Sequence, residues 1–131
     1  MTNSAEVHEA LRKIDEQVAM SQHRAQLMQD LAVQIEAIHV EVTSPGGEMT
    51  VHVDANGRLI DIDLTSRAMA LEPSRVRTLL LDSLDEAYEE ATRRSVALAS
   101  AAFGPDAPTV AGLRENAERY RPQLNREEDE Q

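Results

Sequence analysis

Cysteine and tryptophan are both missing from this 131-residue sequence, lysine occurs once, as Lys13, and only Tyr88, Phe103 and Tyr120 are aromatic. Each shortage excludes something. Without cysteine there are no disulfides and no thiolate metal sites, which fits a reducing compartment. With so few aromatics there is no platform on which unpaired bases could stack, the usual route to single-stranded nucleic acid. No apolar run approaches the roughly 20 residues of a membrane-spanning helix, and the acidic N-terminus lacks the basic and apolar regions of a signal peptide. A soluble cytoplasmic protein is expected. Catalytic signatures are missing too, since no Gly-rich phosphate loop joins a strand to a helix and no serine sits in an elbow beside a base. The chain reads as a non-enzyme.

Positive charge is also scarce. The net charge is −11, and the excess acid is spread evenly: residues 1–37 carry six acids and three bases, 38–71 five and two, 72–104 six and four, and 105–131 seven and four. The long-range field therefore repels polyanions. A nucleic-acid role needs local basic clusters that overcome it, and binding of that kind is strongly salt-sensitive. The plainer reading of the acidity is a solubilising surface.

What the sequence does have is strict alternation from Ile38 to Leu64. Apolar residues fall on every second position in three runs, 38–43, 48–54 and 58–64, divided by Ser44-Pro45-Gly46-Gly47 and by Asn56-Gly57. Period two gives each run one buried and one polar face, so the segment reads as a three-stranded antiparallel meander. Asn56-Gly57 suits a two-residue type I′ turn. That turn pairs Val53 with Ile60, Val51 with Ile62 and Met49 with Leu64. A two- or four-residue loop at Pro45-Gly46 keeps the same parity in the first hairpin, with Val42 expected opposite Met49 and Val40 opposite Val51. Slipping either pair by one residue would set apolar against polar, so parity is well specified.

Such a sheet needs a cover, and the flanks are helical. From Ser4 to Glu36 no Pro or Gly intervenes, and Val7, Leu11, Ile14, Val18, Ser21, Ala25, Met28, Ala32 and Ile35 recur at 3-4 spacing, a coiled-coil seam. Asn3 or Ser4 can cap its start. At roughly 1.5 Å per residue this helix is about 50 Å long, so its N-terminal half is expected to project beyond the sheet. A second helix is expected from Pro73 to about Ala102, with Val76, Leu80, Leu84, Ala87, Ala91 and Leu98 as its apolar stripe. Gly104-Pro105 and Pro108 stop it. Val110, Leu113, Ala117 and Tyr120 keep helical spacing, consistent with a short extra helix. Asn125 to Gln131 is acidic and expected to be disordered. The fold class is thus α+β, in the order long helix, meander, long helix (α-β-β-β-α), with a domain at 1–104 and an acidic, largely disordered tail at 105–131. The seam calls for a homodimer with projecting helical arms.

The order of elements, with Gly46-Gly47-Glu48-Met49-Thr50-Val51-His52-Val53, Asn56-Gly57 and Leu59-Ile60-Asp61-Ile62-Asp63, resembles the YbaB/EbfC family of bacterial nucleoid-associated proteins over roughly residues 5 to 102. The resemblance implies a tweezer-like homodimer whose helical arms bind duplex DNA, located in the cytoplasm and nucleoid. The Ala- and Arg-rich, Lys-poor composition would suit an actinobacterial variant of the family. This chain departs from the family pattern in lacking Lys-rich helix ends and in its acidic segment after Pro105. Because variant members are associated with specialised secretion loci, the alternative is an acidic protein–protein interaction module with little or no DNA binding.

For DNA, the candidate contacts are Arg12, Lys13 and Arg24 on the first helix and Arg93 and Arg94 on the second, repeated by a dimer's symmetry. They would meet phosphates and set affinity without reading sequence. The competing role is surface charge balancing Asp15, Glu16, Glu89 and Glu90. The expected register also aligns His39, His52 and Asp61 on the polar face, beside Glu41, Thr50 and Asp63. Imidazoles beside carboxylates can ligate zinc or sense pH. An open sheet face offers no enclosing pocket for a catalytic metal, however, so a solvated or dimer-facing surface is expected, with no metal site and no cofactor.

Overall fold

The structure is a computed structural model and describes residues 3–121. It divides into two units, Met1–Val33 and Gln34–Gln131. The first consists of helix α1, Ser4–Glu36, whose last turn belongs to the second unit. Asn3 starts α1: its side-chain oxygen accepts the Ala5 N–H at 3.0 Å, and its carbonyl accepts those of Glu6 and Val7. Along the seam Val7, Leu11, Ile14, Val18 and Met28 stand 42–54% exposed, and Leu31 is the helix's buried residue.

In the second unit β1 (Val40–Thr43), β2 (Met49–Val53) and β3 (Leu59–Leu64) form an antiparallel sheet in the order β1-β2-β3. After β3 come a four-residue helix α2 (Ser66–Met69), the long α3 (Pro73–Phe103) and α4 (Pro108–Tyr120). Pro73 and Pro108 each occupy a helix's first turn, where no backbone N–H is required. Gly104 ends α3 at φ 92°. The acidic end, Asn125 to Gln131, lies outside the described residues.

The expected parity holds in both hairpins, but the first is displaced by two residues. Val40 faces Val53, Glu41 faces His52, Val42 faces Val51 and Thr43 faces Thr50. The loop has four residues because Ser44 organises it. Its hydroxyl donates to the Glu48 carboxylate at 2.9 Å and accepts the N–H groups of Glu48 and Met49 at 3.1 and 3.2 Å. Ser44 is buried, at 3% exposure. In the second hairpin Met49–Leu64 and Val51–Ile62 pair as expected, whereas Val53 faces Leu59 rather than Ile60. The reason is the turn. Asn56 keeps a negative φ and only Gly57 is left-handed, at 78°, so the type I′ pair does not form. Asp54 Oδ1 instead accepts the N–H groups of Asn56 and Arg58, both at 2.9 Å, closing a three-residue loop. A register irregularity beside His52 and Val53 then restores parity by leaving Ile60 as the extra residue.

Ile38, Val40, Val42, Val51 and Val53 close on Ala87 and Ala91 of α3, with Leu80, Leu84 and Leu98 packed against them, so the expected α3 stripe from Leu80 to Leu98 serves the core, while Val76 lies outside it. Alanine at the centre lets backbone and sheet approach closely. The strand order makes β3 an edge, and because α3 packs mainly on β1 and β2, its Leu59, Ile60 and Leu64 stand 40–52% exposed. Beyond Ala91, where the stripe weakens, Ser95 and Ala99 are still buried. α4 packs on α3 and buries Val110 completely. Tyr88 Oη donates to the Ala117 carbonyl at 2.9 Å, and Arg121 Nη2 bridges Asp85 and Glu89, each at 2.6 Å.

Candidate nucleic-acid interface

The five candidate cations occupy two kinds of surroundings. On α1, Arg12 forks between Glu9 and Glu16, one turn away on either side, with Nη1 to Glu16 Oε1 at 2.9 Å and Nε to Glu9 Oε2 at 3.1 Å. Lys13 and Arg24 make no ion pair among the described residues. Both project from exposed helix surface, Arg24 lying roughly three turns after Lys13. On α3, Arg93 and Arg94 converge on one carboxylate. Arg93 holds Glu90 Oε2 at 2.6 Å and Arg94 holds Oε1 at 3.1 Å. The two guanidinium groups, Arg93 first, keep the Glu90 carboxyl below the usual carboxylate range. Arg94 also donates through Nη1 to the carbonyl of His39 at 3.0 Å, tying α3 to the start of the sheet.

Of the acids expected to balance these cations, Glu16 and Glu90 do so, whereas Glu89 turns to Arg121. Glu9 joins them as a second partner of Arg12, at an i,i+3 spacing that is itself a readable signal. The surface pairs are worth no more than about 1 kcal/mol each. A phosphate can therefore displace the carboxylates at modest cost, and Lys13 and Arg24 need no displacement.

The second polar grouping lies on the face of the sheet away from α3. The two-residue displacement sets Glu41, rather than His39, opposite His52, and brings Thr43 against Thr50, their hydroxyls 2.9 Å apart. His39 reaches diagonally, with Nε2 3.1 Å from His52 Nδ1. His52 Nε2 lies 2.7 Å from Asp63 Oδ2, and this hydrogen bond, reinforced by the Glu41 charge, raises the His52 pKa above its ordinary value against the opposing effect of burial. Alternation alone places these side chains on the polar face; which of them stand opposite one another is decided by where the loop after Ser44 turns.

A sequence model of the YbaB/EbfC DNA-binding family matches residues 9–105. No curated protein matches the chain. Among solved structures it is similar to the crystal structure of an uncharacterized protein, HP0035, from Helicobacter pylori, with 16% identity, coverage of 61% of this chain and 94% of that one, and a TM-score of 0.49.

Proposed function

This chain belongs to the YbaB/EbfC DNA-binding family, a family of non-catalytic proteins with a general nucleoid-associated role, and on that premise we propose that it binds duplex DNA as a homodimer through Arg12, Lys13 and Arg24 of α1 and Arg93 and Arg94 of α3. The observation that carries this reading is the family match itself, which spans all five positions. Dimerisation is supported by the apolar seam of α1, exposed in the single chain, and by the unpaired β3 edge with its exposed Leu59, Ile60 and Leu64. Symmetry then doubles each cation.

Binding is to the phosphate backbone. The arginines exchange Glu9, Glu16 and Glu90 for phosphate oxygens, and Lys13 and Arg24 add charge directly. Because the chain carries −11 overall, attraction is local, and added salt weakens it through counterion release with a slope of about −0.9 per neutralised phosphate. Specificity at this surface comes from DNA shape rather than base contacts.

Fluorescence anisotropy with a labelled duplex over a series of salt concentrations tests the reading. Replacing Arg12, Lys13, Arg93 and Arg94 by alanine is expected to lower affinity and to flatten the salt dependence. Unchanged binding in that variant would remove the arms from the account. If the wild type binds no duplex even at low salt, the uniform acidity favours the second reading, an acidic module that docks on a protein partner, in a specialised secretion system for example.

A further inference from the structure

We propose that His39, Glu41 and His52 form a zinc-binding site on the open face of the sheet, with Asp63 as the carboxylate that positions His52. Three donor atoms of different side chains converge there: His39 Nε2, His52 Nδ1 and Glu41 Oε1, separated by 3.1, 3.4 and 3.5 Å. A tetrahedral zinc with bonds of about 2.0–2.1 Å spaces its ligand atoms about 3.3 Å apart. The three atoms thus already form one face of the coordination tetrahedron.

The imidazole rings stand 61° apart with centroids at 5.3 Å, an edge contact rather than a parallel stack, and it brings one nitrogen of each ring within 3.1 Å of the other. His52 Nε2 lies 2.7 Å from the Asp63 carboxylate, so in the neutral ring that binds a metal Nε2 donates to Asp63 and Nδ1 presents its lone pair toward His39 and Glu41. This is the carboxylate–histidine–metal arrangement that orients ligating imidazoles. On the other side, Arg94 holds the His39 carbonyl at 3.0 Å and fixes the residue at the entry to β1. On zinc binding His39 carries its proton on Nδ1, so both imidazoles stay neutral and both ligand atoms are free.

Two nitrogens and one carboxylate oxygen suit zinc and not calcium or magnesium, which take all-oxygen shells. His39 and Glu41 are 49% and 61% exposed while His52 is 14% exposed. The fourth position therefore faces solvent and takes a water. With no enclosing wall the site is not catalytic. It cross-links the start of β1 to the central strand and offsets the negative charge of Glu41, Asp61 and Asp63.

The test is competition of the full-length chain against a chromophoric chelator of micromolar affinity, titrated with zinc alone. One zinc per protomer is expected, retained in excess magnesium, and cobalt substitution should give the visible absorption of a tetrahedral site. His39→Ala and His52→Ala should each abolish binding, and Asp63→Ala should weaken it roughly 10–100-fold. A variant lacking the two other histidines, His8→Ala with His23→Ala, should bind as the wild type does. Far-UV circular dichroism confirms that the variants fold. No competition by the wild type, binding that survives loss of His39 and His52, or binding lost with His8 and His23 would each overturn the assignment.

Discussion

Replacing Gly57 by alanine should cost about 2–5 kcal/mol of stability, through two separable effects. Gly57 sits at φ 78°, and a Cβ built there falls 2.0 Å from Tyr88 Cδ2 and 2.7 Å from Cε2. The left-handed backbone accounts for about 1–2 kcal/mol. The collision adds about 1–3 kcal/mol, in the range of overpacked cores. Tyr88 has little room to yield, being 9% exposed and anchored through its hydroxyl to Ala117 of α4. Domains of this size have only about 5–15 kcal/mol in total, so the loss is readily measured by urea unfolding followed by circular dichroism, at fixed protomer concentration because an assembled state would add its own stability. The decisive comparison is a double-mutant cycle with Tyr88→Ala. Without the ring only the backbone effect remains, so Gly57→Ala should then cost about 1–2 kcal/mol and the coupling energy should be about 1–3 kcal/mol. An equal loss in both backgrounds would refute the contact between the turn and α3.

Ser44→Ala should lower the urea midpoint, with an unchanged slope, by the equivalent of about 1–3 kcal/mol, because it leaves the N–H of buried Met49 without its acceptor. A loss below a few tenths would mean that the loop finds another acceptor. Glu90 titrates below its ordinary range. Its contribution to stability is therefore present above the unfolded carboxylate pKa and lost as pH falls through the depressed folded value. Carbon-detected NMR titration should show the Glu90 pKa rising in an Arg93→Ala, Arg94→Ala variant, and an unmoved titration curve would contradict the shared ion pair.

Much of this architecture was readable from local signals. Proline and glycine mark both ends of α3, the absence of either defines α1, and alternation sets the strand faces. The points that escaped are those decided by side chains over longer reach. Parity admits a two- or a four-residue loop equally, and the choice falls to the Ser44 hydroxyl. Asn56-Gly57 is a type I′ signal that Asp54 overrides with two hydrogen bonds. Helix α2 is too short for periodicity and depends on Thr65, which accepts from the Ala68 N–H and donates to the Glu48 carbonyl. The docking of α4 rests on Tyr88 with Ala117, 29 residues apart. At the candidate interface the cations were legible singly. Their carboxylate neighbours were legible only where i,i+3 or i,i+4 spacing applies, so the link from Arg94 to His39, across 55 residues, had no sequence signal.

The four-residue loop after Ser44 also gives this fold a way to diverge. Turning the same residues through a two-residue loop at Pro45-Gly46, with Gly47 and Glu48 drawn into β2, would leave every valine of the core on its own face, yet would move Glu41 away from His52 to stand opposite Thr50, the other register that parity allows. Loop length thus works as a selector that rewrites the outward chemistry of the sheet while its interior stays constant. Descendants of one scaffold could acquire or lose the histidine–carboxylate grouping through a change confined to the turn, with no substitution at any of the residues that form it.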